Sequence, residues 1–224
     1  SGKTYIGALK SLYMSYLNSP IPGMYVSPSH QLATKTIIIT LKELCNRAAI
    51  DYTYNQQRSE FIFHNWGGKL WLGSGDKPDS LRGPNIGWAV IDEPFIQKRE
   101  VFEQMIARVR HPEAKKSQIF LTGTPEQLNW GFTLANDPKL DLGTIQASTL
   151  DNPHLPDDYK ESLLQAYSEE QIDAYVHGKF VNLTQGRVYK DFDRDKHVVE
   201  RPDLKNEGLP IGIGMDFNVD AMSS

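Results

Sequence analysis

In residues 88–93, WAVIDE, four apolar residues are followed by Asp92 and Glu93. A continuous apolar run of this length is typical of a strand buried on both faces of a parallel sheet. Two acids at the end of such a strand can hold a metal ion and activate a water molecule. They can also simply cap the helix that follows, so the neighbouring sequence must decide between a catalytic and a structural interpretation.

Helices and strands are predicted to alternate on both sides of this stretch. The predicted helices cover residues 4–17, 30–48 and 98–110. The predicted strands cover residues 24–26, 60–63, 69–72 and 118–121, and those at 24–26 and 118–121 are expected to be buried. The strands at 60–63 and 69–72 are expected to form a hairpin that turns at Gly67-Gly68. This alternation favours an α/β fold, with an open, mostly parallel sheet and flanking helices.

The start of the chain matches the second half of a phosphate-binding P-loop. Gly2, Lys3 and Thr4 correspond to its final Gly-Lys-[Ser/Thr] and are followed by a predicted amphipathic helix. In such a loop the glycine lets backbone N–H groups point at phosphate, the lysine meets the β- and γ-phosphates, and the hydroxyl holds Mg²⁺. The first glycine of the motif would precede residue 1. Judged by themselves, Gly2, Lys3 and Thr4 could therefore match the motif by chance. We expect the chain to be cut from a longer protein at both ends.

A third element follows the acidic strand. Thr122, Gly123 and Thr124 end the predicted strand at 118–121, where they could sense the γ-phosphate. Taken alone, they could equally be an ordinary turn. Together, the three elements predict an ATPase in which Lys3, Thr4 and Asp92 bind Mg-ATP and Glu93 activates the attacking water.

Composition restricts the class of protein. The chain has 224 residues, 39% of them hydrophobic and 23% charged, which is ordinary for a globular protein with a core. Its net charge of −4 is unlike that of a protein that coats nucleic acid, so contact with DNA is expected to be local or transient. The single cysteine, Cys45, excludes a disulfide framework. No apolar run approaches the roughly 20 residues that span a membrane, so no membrane association is expected.

An ordered set of segments resembles the large terminase subunits of tailed bacteriophages. The resemblance covers almost the whole chain and includes PDSLRG at 78–83, TGT at 122–124, TLDNP at 149–153, GRVY at 186–189 with Phe192, and GMDFN at 214–218. It implies a P-loop NTPase fold of the RecA-like (ASCE) type. It also implies three domains: an ATPase domain over 1–150 that lacks its first strand, a helical linker subdomain over 151–186, and the start of a ribonuclease-H-like nuclease over 187–224.

The resemblance also implies roles for individual residues. Arg82 would be an arginine finger acting within or across subunits, although a surface arginine in a turn is the alternative. Residues 122–124 would couple hydrolysis to DNA movement. Asp216 would be one carboxylate of a two-metal nuclease site, or else an acid that caps a turn. Since one carboxylate makes no such site, only the complete protein would cleave DNA, with a divalent metal.

The function implied is ATP-driven translocation of double-stranded DNA into a procapsid. The implied partners are double-stranded DNA, a portal ring, a small terminase subunit and further copies in a ring, in the cytoplasm of the infected bacterial host. A superfamily 2 helicase is an alternative. Such a helicase needs a second RecA-like domain after the first, whereas residues 187–224 resemble the start of a nuclease. A non-enzymatic, degenerate P-loop module that binds DNA or a portal is another. The presence of Glu93 argues against it, because a binding module has no use for a water-activating acid.

Overall fold

The structure is a computed structural model that describes residues 2–125, 129–140 and 142–181. All of them lie in one compact unit, Ser1–Thr184. The motifs expected at 186–192 and 214–218, including Asp216, lie outside the described residues. The three domain boundaries derived from the sequence therefore stay predictions.

Helices and strands alternate along the described residues. The strands are β1 Gly23–Ser27, β2 Tyr52–Asn55, β3 Glu60–Phe63, β4 Gly68–Ser74, β5 Trp88–Asp92 and β6 Gln118–Thr122. The helices are α1 Lys3–Asn18, α2 His30–Lys35, α3 Ile37–Arg47, α4 Arg99–Arg108, α5 Trp130–Ala135, α6 Asp157–Ala166 and α7 Glu169–Gln171, the last continued by a π-helical turn, Ile172–Val176. Short 3₁₀ turns cover Pro78–Leu81, Pro94–Ile96 and Thr149–Asp151.

The six strands form one sheet in the order β2-β3-β4-β1-β5-β6. Strand β1 pairs in parallel with β4 and β5, and β5 pairs in parallel with β6. Strands β2, β3 and β4 pair antiparallel, so the expected hairpin of β3 and β4 is confirmed. The fold is thus α/β with a mostly parallel sheet, as the sequence predicts. The carboxyl ends of β1, β4, β5 and β6 share one edge, where the acids of β5 lie.

Alternate residues of the central strands enter two different cores. Tyr25 and Val90 belong to the core beneath α1 and α3, whereas Val26 and Ile91 belong to the core beneath α4. Because successive side chains of a strand point to opposite faces, Asp92 shares the face of Val90. The first acid therefore lies on the side of the sheet that α1 covers.

Helix α1 packs on the sheet through small residues. Its buried positions include the small residues Gly7, Ala8, Ser11 and Ser15 as well as Leu12 and Met14, whereas four other large residues are exposed: Ile6, Leu9, Tyr13 and Tyr16. A Cβ at Gly7 would lie only 3.3 Å from the ring and hydroxyl of Tyr25. Small side chains let the helix axis approach the sheet closely, which brings the first turn of α1 to the edge that bears the acids.

Four features differ from the sequence prediction. The helix expected over 30–48 breaks at Thr36, whose hydroxyl donates to the Leu32 carbonyl at 2.8 Å and competes with regular helical geometry. Strand β6 is only half-buried over most of its length, because it lies at an edge of the described sheet. Strand β2 and helix α5 were not predicted. Strand β2 is mostly half-buried, and the six residues of α5 are too few for a clear helical period.

Candidate active site

The first turn of α1 meets the end of β5. Lys3 Nζ lies 3.4 Å from Glu93 Oε1, and both side chains are 27% exposed. Gly2 precedes the helix, its carbonyl accepts from the Ile6 amide at 2.9 Å, and Thr4 follows Lys3 in the same turn, half-buried. The fold therefore brings together two segments that the sequence places far apart, the P-loop-like start and the acidic strand end.

Glu93 holds an unusual backbone conformation. Its φ of 44° and ψ of 54° lie in the left-handed region, a backbone conformation that residues other than glycine rarely adopt. The strain is held by hydrogen bonds on both sides: the Glu93 amide donates to the Thr122 carbonyl at 2.6 Å, and the Thr124 amide donates to Glu93 Oε2 at 3.1 Å. Such strain concentrates at functional sites, where surrounding contacts over-determine the geometry.

Opposing effects act on the Glu93 carboxyl. Burial raises its pKa above the ordinary value, and the nearby Asp92 carboxylate adds to that rise. The Lys3 ammonium and the Thr124 amide act in the opposite direction, because both stabilise the ionised form. Burial is the largest of these effects and decides the direction.

Asp92 is held by two contacts at the end of β5. The Thr122 hydroxyl donates to Asp92 Oδ1 at 2.9 Å, and the side-chain amide of Gln97 donates to the Asp92 carbonyl at 2.6 Å. The Asp92 residue is only 3% exposed. Thr122 and Thr124 thus each contact one of the two acids, and Gly123 between them packs against Phe95.

Tyr25, on the neighbouring strand β1, lies next to the acidic end of β5. It pairs with Val90 in the β1–β5 register, so Asp92 is its diagonal neighbour on the same face. The Tyr25 residue is fully buried. Burial, with the charges of Asp92 and Glu93, raises the pKa of its hydroxyl above the ordinary range, so this group stays protonated.

Arg82 is not brought to these residues by any contact within the described part of the chain. It follows the 3₁₀ turn Pro78–Leu81, is 65% exposed, and forms an ion pair with Asp79 at 3.1 Å. The preceding Leu81 is buried against β4 and anchors the loop. The guanidinium is therefore presented to solvent.

Sequence reasoning missed Gln97, Tyr25 and Phe95 as residues of the site. Tyr25 lies in a predicted strand and could have been found from its place beside the acidic strand. Gln97 and Phe95 have no sequence signal, because their contacts depend on a 3₁₀ turn and on packing against Gly123 and residues 129–131. No cluster of three or more His, Cys, Asp or Glu residues suited to a metal occurs in the described ranges.

Several solved structures share this architecture. The large terminase of a thermophilic bacteriophage matches with a TM-score of 0.72 and 19% identity, over 88% of this chain and 50% of that one. The same terminase in complex with ATP-gamma-S matches with a TM-score of 0.70 and 20% identity, over 90% and 51% of the two chains. A mutant of the large terminase ATPase domain of Thermus phage P74-26 matches with a TM-score of 0.57 and 16% identity, over 81% and 85%.

These likenesses confirm the fold class predicted from the sequence. The chain spans about half the length of the thermophilic bacteriophage terminase it matches. A search of curated protein sequences found no match. None of the helices in the described residues has the length and apolar character needed to cross a membrane.

A protein-family comparison decides the assignment. The family described as terminase large subunit, T4likevirus-type, N-terminal, matches residues 1–196. This match includes every residue of the site described above. Because it covers most of the 224 residues, the chain belongs to this family of terminase large subunits.

Proposed function

We propose that this chain is the ATP-hydrolysing part of a motor that moves double-stranded DNA into a procapsid. One observation carries the proposal: the 3.4 Å separation of Lys3 Nζ and Glu93 Oε1. It joins a phosphate-binding cation to a potential general base at the carboxyl edge of a parallel sheet, where ligands of α/β proteins bind. The thermophilic bacteriophage terminase has been solved with ADP and with ATP-gamma-S, which supports a nucleotide at the same fold.

The chemistry follows from the positions of these groups. Lys3 and the N–H groups at the start of α1 would bind the β- and γ-phosphates. A γ-phosphate held by Lys3 would lie beside Glu93, which would accept a proton from the attacking water. Burial favours this role, because it raises the pKa of Glu93 and makes its carboxylate a stronger base. Thr124 would report the state of Glu93 to the segment after β6.

Magnesium fits the oxygen donors at this edge. Mg²⁺ bound with a nucleotide needs only one or two carboxylates in addition to phosphate oxygens and water. Asp92 supplies a nearly buried carboxylate fixed by Thr122, and Thr4 supplies a hydroxyl in the first turn of α1. When bound there, Mg²⁺ would supply positive charge that offsets the negative charge developing on the phosphates. Thr4 and Asp92 would hold it.

The remaining roles concern the complete protein. Arg82, exposed on its loop, would reach a site in a neighbouring copy of a ring, and a portal ring and a small terminase subunit would be the other packaging partners. In the complete protein, Asp216 would contribute one carboxylate to a metal-dependent nuclease site. The motor would act in the cytoplasm of an infected bacterium.

The decisive experiment is hydrolysis of Mg-ATP by the full-length protein that contains this chain. Turnover is measured with and without linear double-stranded DNA, for the unaltered protein, for Glu93→Gln and for Glu100→Gln. Glu100 is an exposed acid of α4 and provides the matched control. DNA-stimulated turnover that Glu93→Gln abolishes and Glu100→Gln retains is the expected result. Turnover that survives Glu93→Gln would overturn the role of Glu93 as the general base. No turnover in the unaltered protein would overturn the proposal in favour of a non-enzymatic module.

A further inference from the structure

Phe95 occupies a tight position two residues after Glu93. It lies in the 3₁₀ turn Pro94–Ile96, and two glycines approach opposite edges of its ring. A Cβ at Gly123 would lie 3.1 Å from Cδ2 of the ring, and a Cβ at Gly131 would lie 2.1 Å from Cδ1 and Cε1. The Gly131 separation is shorter than any real Cβ contact, so a larger residue there would have to displace the ring.

The turn around Phe95 is also joined to α5 by hydrogen bonds. The Asn129 side-chain amide donates to the Phe95 carbonyl at 2.7 Å, while its oxygen accepts from the Gly131 amide and caps α5. The Trp130 indole donates to the Gln97 carbonyl at 3.1 Å. Since Gln97 in turn donates to the Asp92 carbonyl, α5 is connected directly to the backbone of the acidic segment.

A third contact connects Phe95 to the end of the helical segment, residues 157–176. The ring of Phe180 lies edge-on to Phe95 at a centroid distance of 5.4 Å, and also edge-on to Phe132 of α5 at 5.6 Å. Phe180 is held close to the helical segment, because the neighbouring Lys179 forms an ion pair with Asp173 at 2.8 Å. A displacement of the helical segment would therefore move Phe180 against Phe95.

We propose that Phe95 is a positioning residue for Glu93, and that its contact with Phe180 makes the position of Glu93 depend on the helical segment. Glu93 is held in a strained left-handed conformation, so its carboxylate can point toward Lys3 and the Thr124 amide only while residues 93–97 keep their shape. The Phe95 ring, packed between Gly123 and Gly131, maintains that shape. Because Phe180 contacts the same ring, movement of the helical segment would change the position of the Glu93 carboxylate.

The second half of this inference rests on the proposed function, whereas the first half does not. Positioning of Glu93 can be measured without any nucleotide, by hydrogen–deuterium exchange at the Thr124 amide. That amide donates to Glu93 Oε2, so its protection reports whether the carboxylate is in place. In Phe95→Leu, exchange at Thr124 should accelerate while exchange in α3 stays unchanged.

The activity test separates positioning from simple loss of structure. It uses the full-length protein and compares Phe95→Leu, Phe180→Leu and Phe102→Leu. Phe102 is the matched control, since its ring stacks on Trp130 at 5.5 Å and makes no ring contact with Phe95 or Phe180 in the described part of the chain. For Phe95→Leu we expect kcat for ATP to fall about tenfold with little change in KM, the pattern of a group that acts only in the transition state.

For Phe180→Leu we expect basal turnover to be retained and the stimulation by DNA to fall about fivefold or more, the usual range of coupling between sites. Phe102→Leu should change kcat less than Phe95→Leu does and the stimulation by DNA less than Phe180→Leu does, because the ring of Phe102 reaches Phe95 only through Trp130. Equal effects of Phe180→Leu and Phe102→Leu would overturn the coupling. Unchanged exchange at Thr124 in Phe95→Leu would overturn the positioning role. An unaltered protein without ATPase activity would instead overturn the proposed function, and the exchange measurement would still decide the role of Phe95.

Discussion

The hydroxyl of Thr122 donates a 2.9 Å hydrogen bond to Oδ1 of Asp92 and so joins the ends of two neighbouring parallel strands. Both residues are nearly buried, Thr122 at 6% and Asp92 at 3% exposed. Their strands pair in register, Asp92 opposite Thr122, so the contact is a direct result of sheet geometry. A residue that served only to form a turn would not need a buried hydroxyl group that faces an acid. The contact therefore argues against an ordinary turn as the only role of Thr122.

Replacing Thr122 tests this contact. Thr122→Val keeps the shape of the side chain but removes the donor, and a buried polar group left without its partner costs about 1–3 kcal/mol. Thr122→Ser retains the hydroxyl and serves as the control. We expect the urea unfolding midpoint to be lower for Thr122→Val than for Thr122→Ser. A midpoint for Thr122→Val equal to or above that of the unaltered protein would show that the hydrogen bond contributes nothing to stability.

The raised pKa of Glu93 predicts a pH-dependent effect on stability. The folded state binds the Glu93 proton more tightly than the unfolded chain, whose ordinary pKa is 4.5. Ionising Glu93 therefore reduces the free energy of unfolding, and this loss begins near the ordinary pKa and is complete once the pH exceeds the raised one. Glu93→Gln removes the ionisation, so it should stabilise the protein at a pH of about 7.5 and have a smaller effect at a pH of about 4.

Unfolding by urea at both pH values measures this difference. Glu100→Gln, on the exposed face of α4, corrects for the general effect of removing a negative charge. If Glu93→Gln increased the free energy of unfolding by the same amount at both pH values, this result would contradict the raised pKa of Glu93. A destabilisation by Glu93→Gln at neutral pH would mean that the ion pair with Lys3 outweighs burial.

The sheet and the acid-bearing edge could be predicted from the sequence because each depends on local patterns. The apolar run at 88–91 indicates a buried strand, and Gly67 lies in a hairpin turn. The orientation of α1 could not be predicted in this way, since four of its large apolar or aromatic residues are exposed while its small residues face the sheet. Packing against Tyr25 selects the side of the helix that lies closest to the strand, not the side that is most apolar.

The contacts that shape the site were similarly out of reach of sequence patterns. Lys3 and Glu93 could each be identified, because P-loop ends and acidic strand ends have recognisable neighbours. The left-handed backbone of Glu93 has no such signal, because glutamate rarely adopts it. The contact of Phe95 with Gly131 has no sequence signal either, because it depends on how a 3₁₀ turn packs against a helix far along the chain.

Gly75 offers a test of the support beneath Asp92. A Cβ at Gly75 would lie 1.7 Å from Oε1 of Gln97, so Gly75→Ala must displace an amide that donates to the Asp92 carbonyl. Loss of that buried hydrogen bond should lower the free energy of unfolding by about 1–3 kcal/mol. Gly143→Ala is the control, because a Cβ there meets nothing within 4 Å and the change should cost less than about 0.5 kcal/mol. Urea unfolding of both variants would measure the difference, and similar midpoints would exclude a supporting role for Gly75.

Cys45 should be inert in the folded protein. It is fully buried in α3, and burial raises the pKa of its thiol to about 11. Since the thiolate is the nucleophile, alkylation by iodoacetamide at a pH of about 8 should be negligible in the native state and rapid in urea. Mass spectrometry of the peptide that contains Cys45 measures both. Rapid native labelling would mean that α3 opens readily or that the thiol is not in the core.

Arg82 predicts a complementation experiment. Its side chain is 65% exposed, as expected of a group that acts on a neighbouring copy. Arg82→Ala should reduce DNA-stimulated ATP hydrolysis by about 10³-fold or more if the guanidinium stabilises the transferred phosphoryl group. The matched control is Arg99→Ala, because Arg99 is 64% exposed and likewise paired with a nearby acid, Glu103. Arg99→Ala should retain full activity.

Mixing inactive Arg82→Ala and inactive Glu93→Gln proteins should restore part of the activity, because a Glu93→Gln subunit still donates Arg82 to a neighbour with an intact Glu93. Absence of any recovery in rings shown to be mixed would place Arg82 within its own site, and full activity of Arg82→Ala alone would remove it from the mechanism.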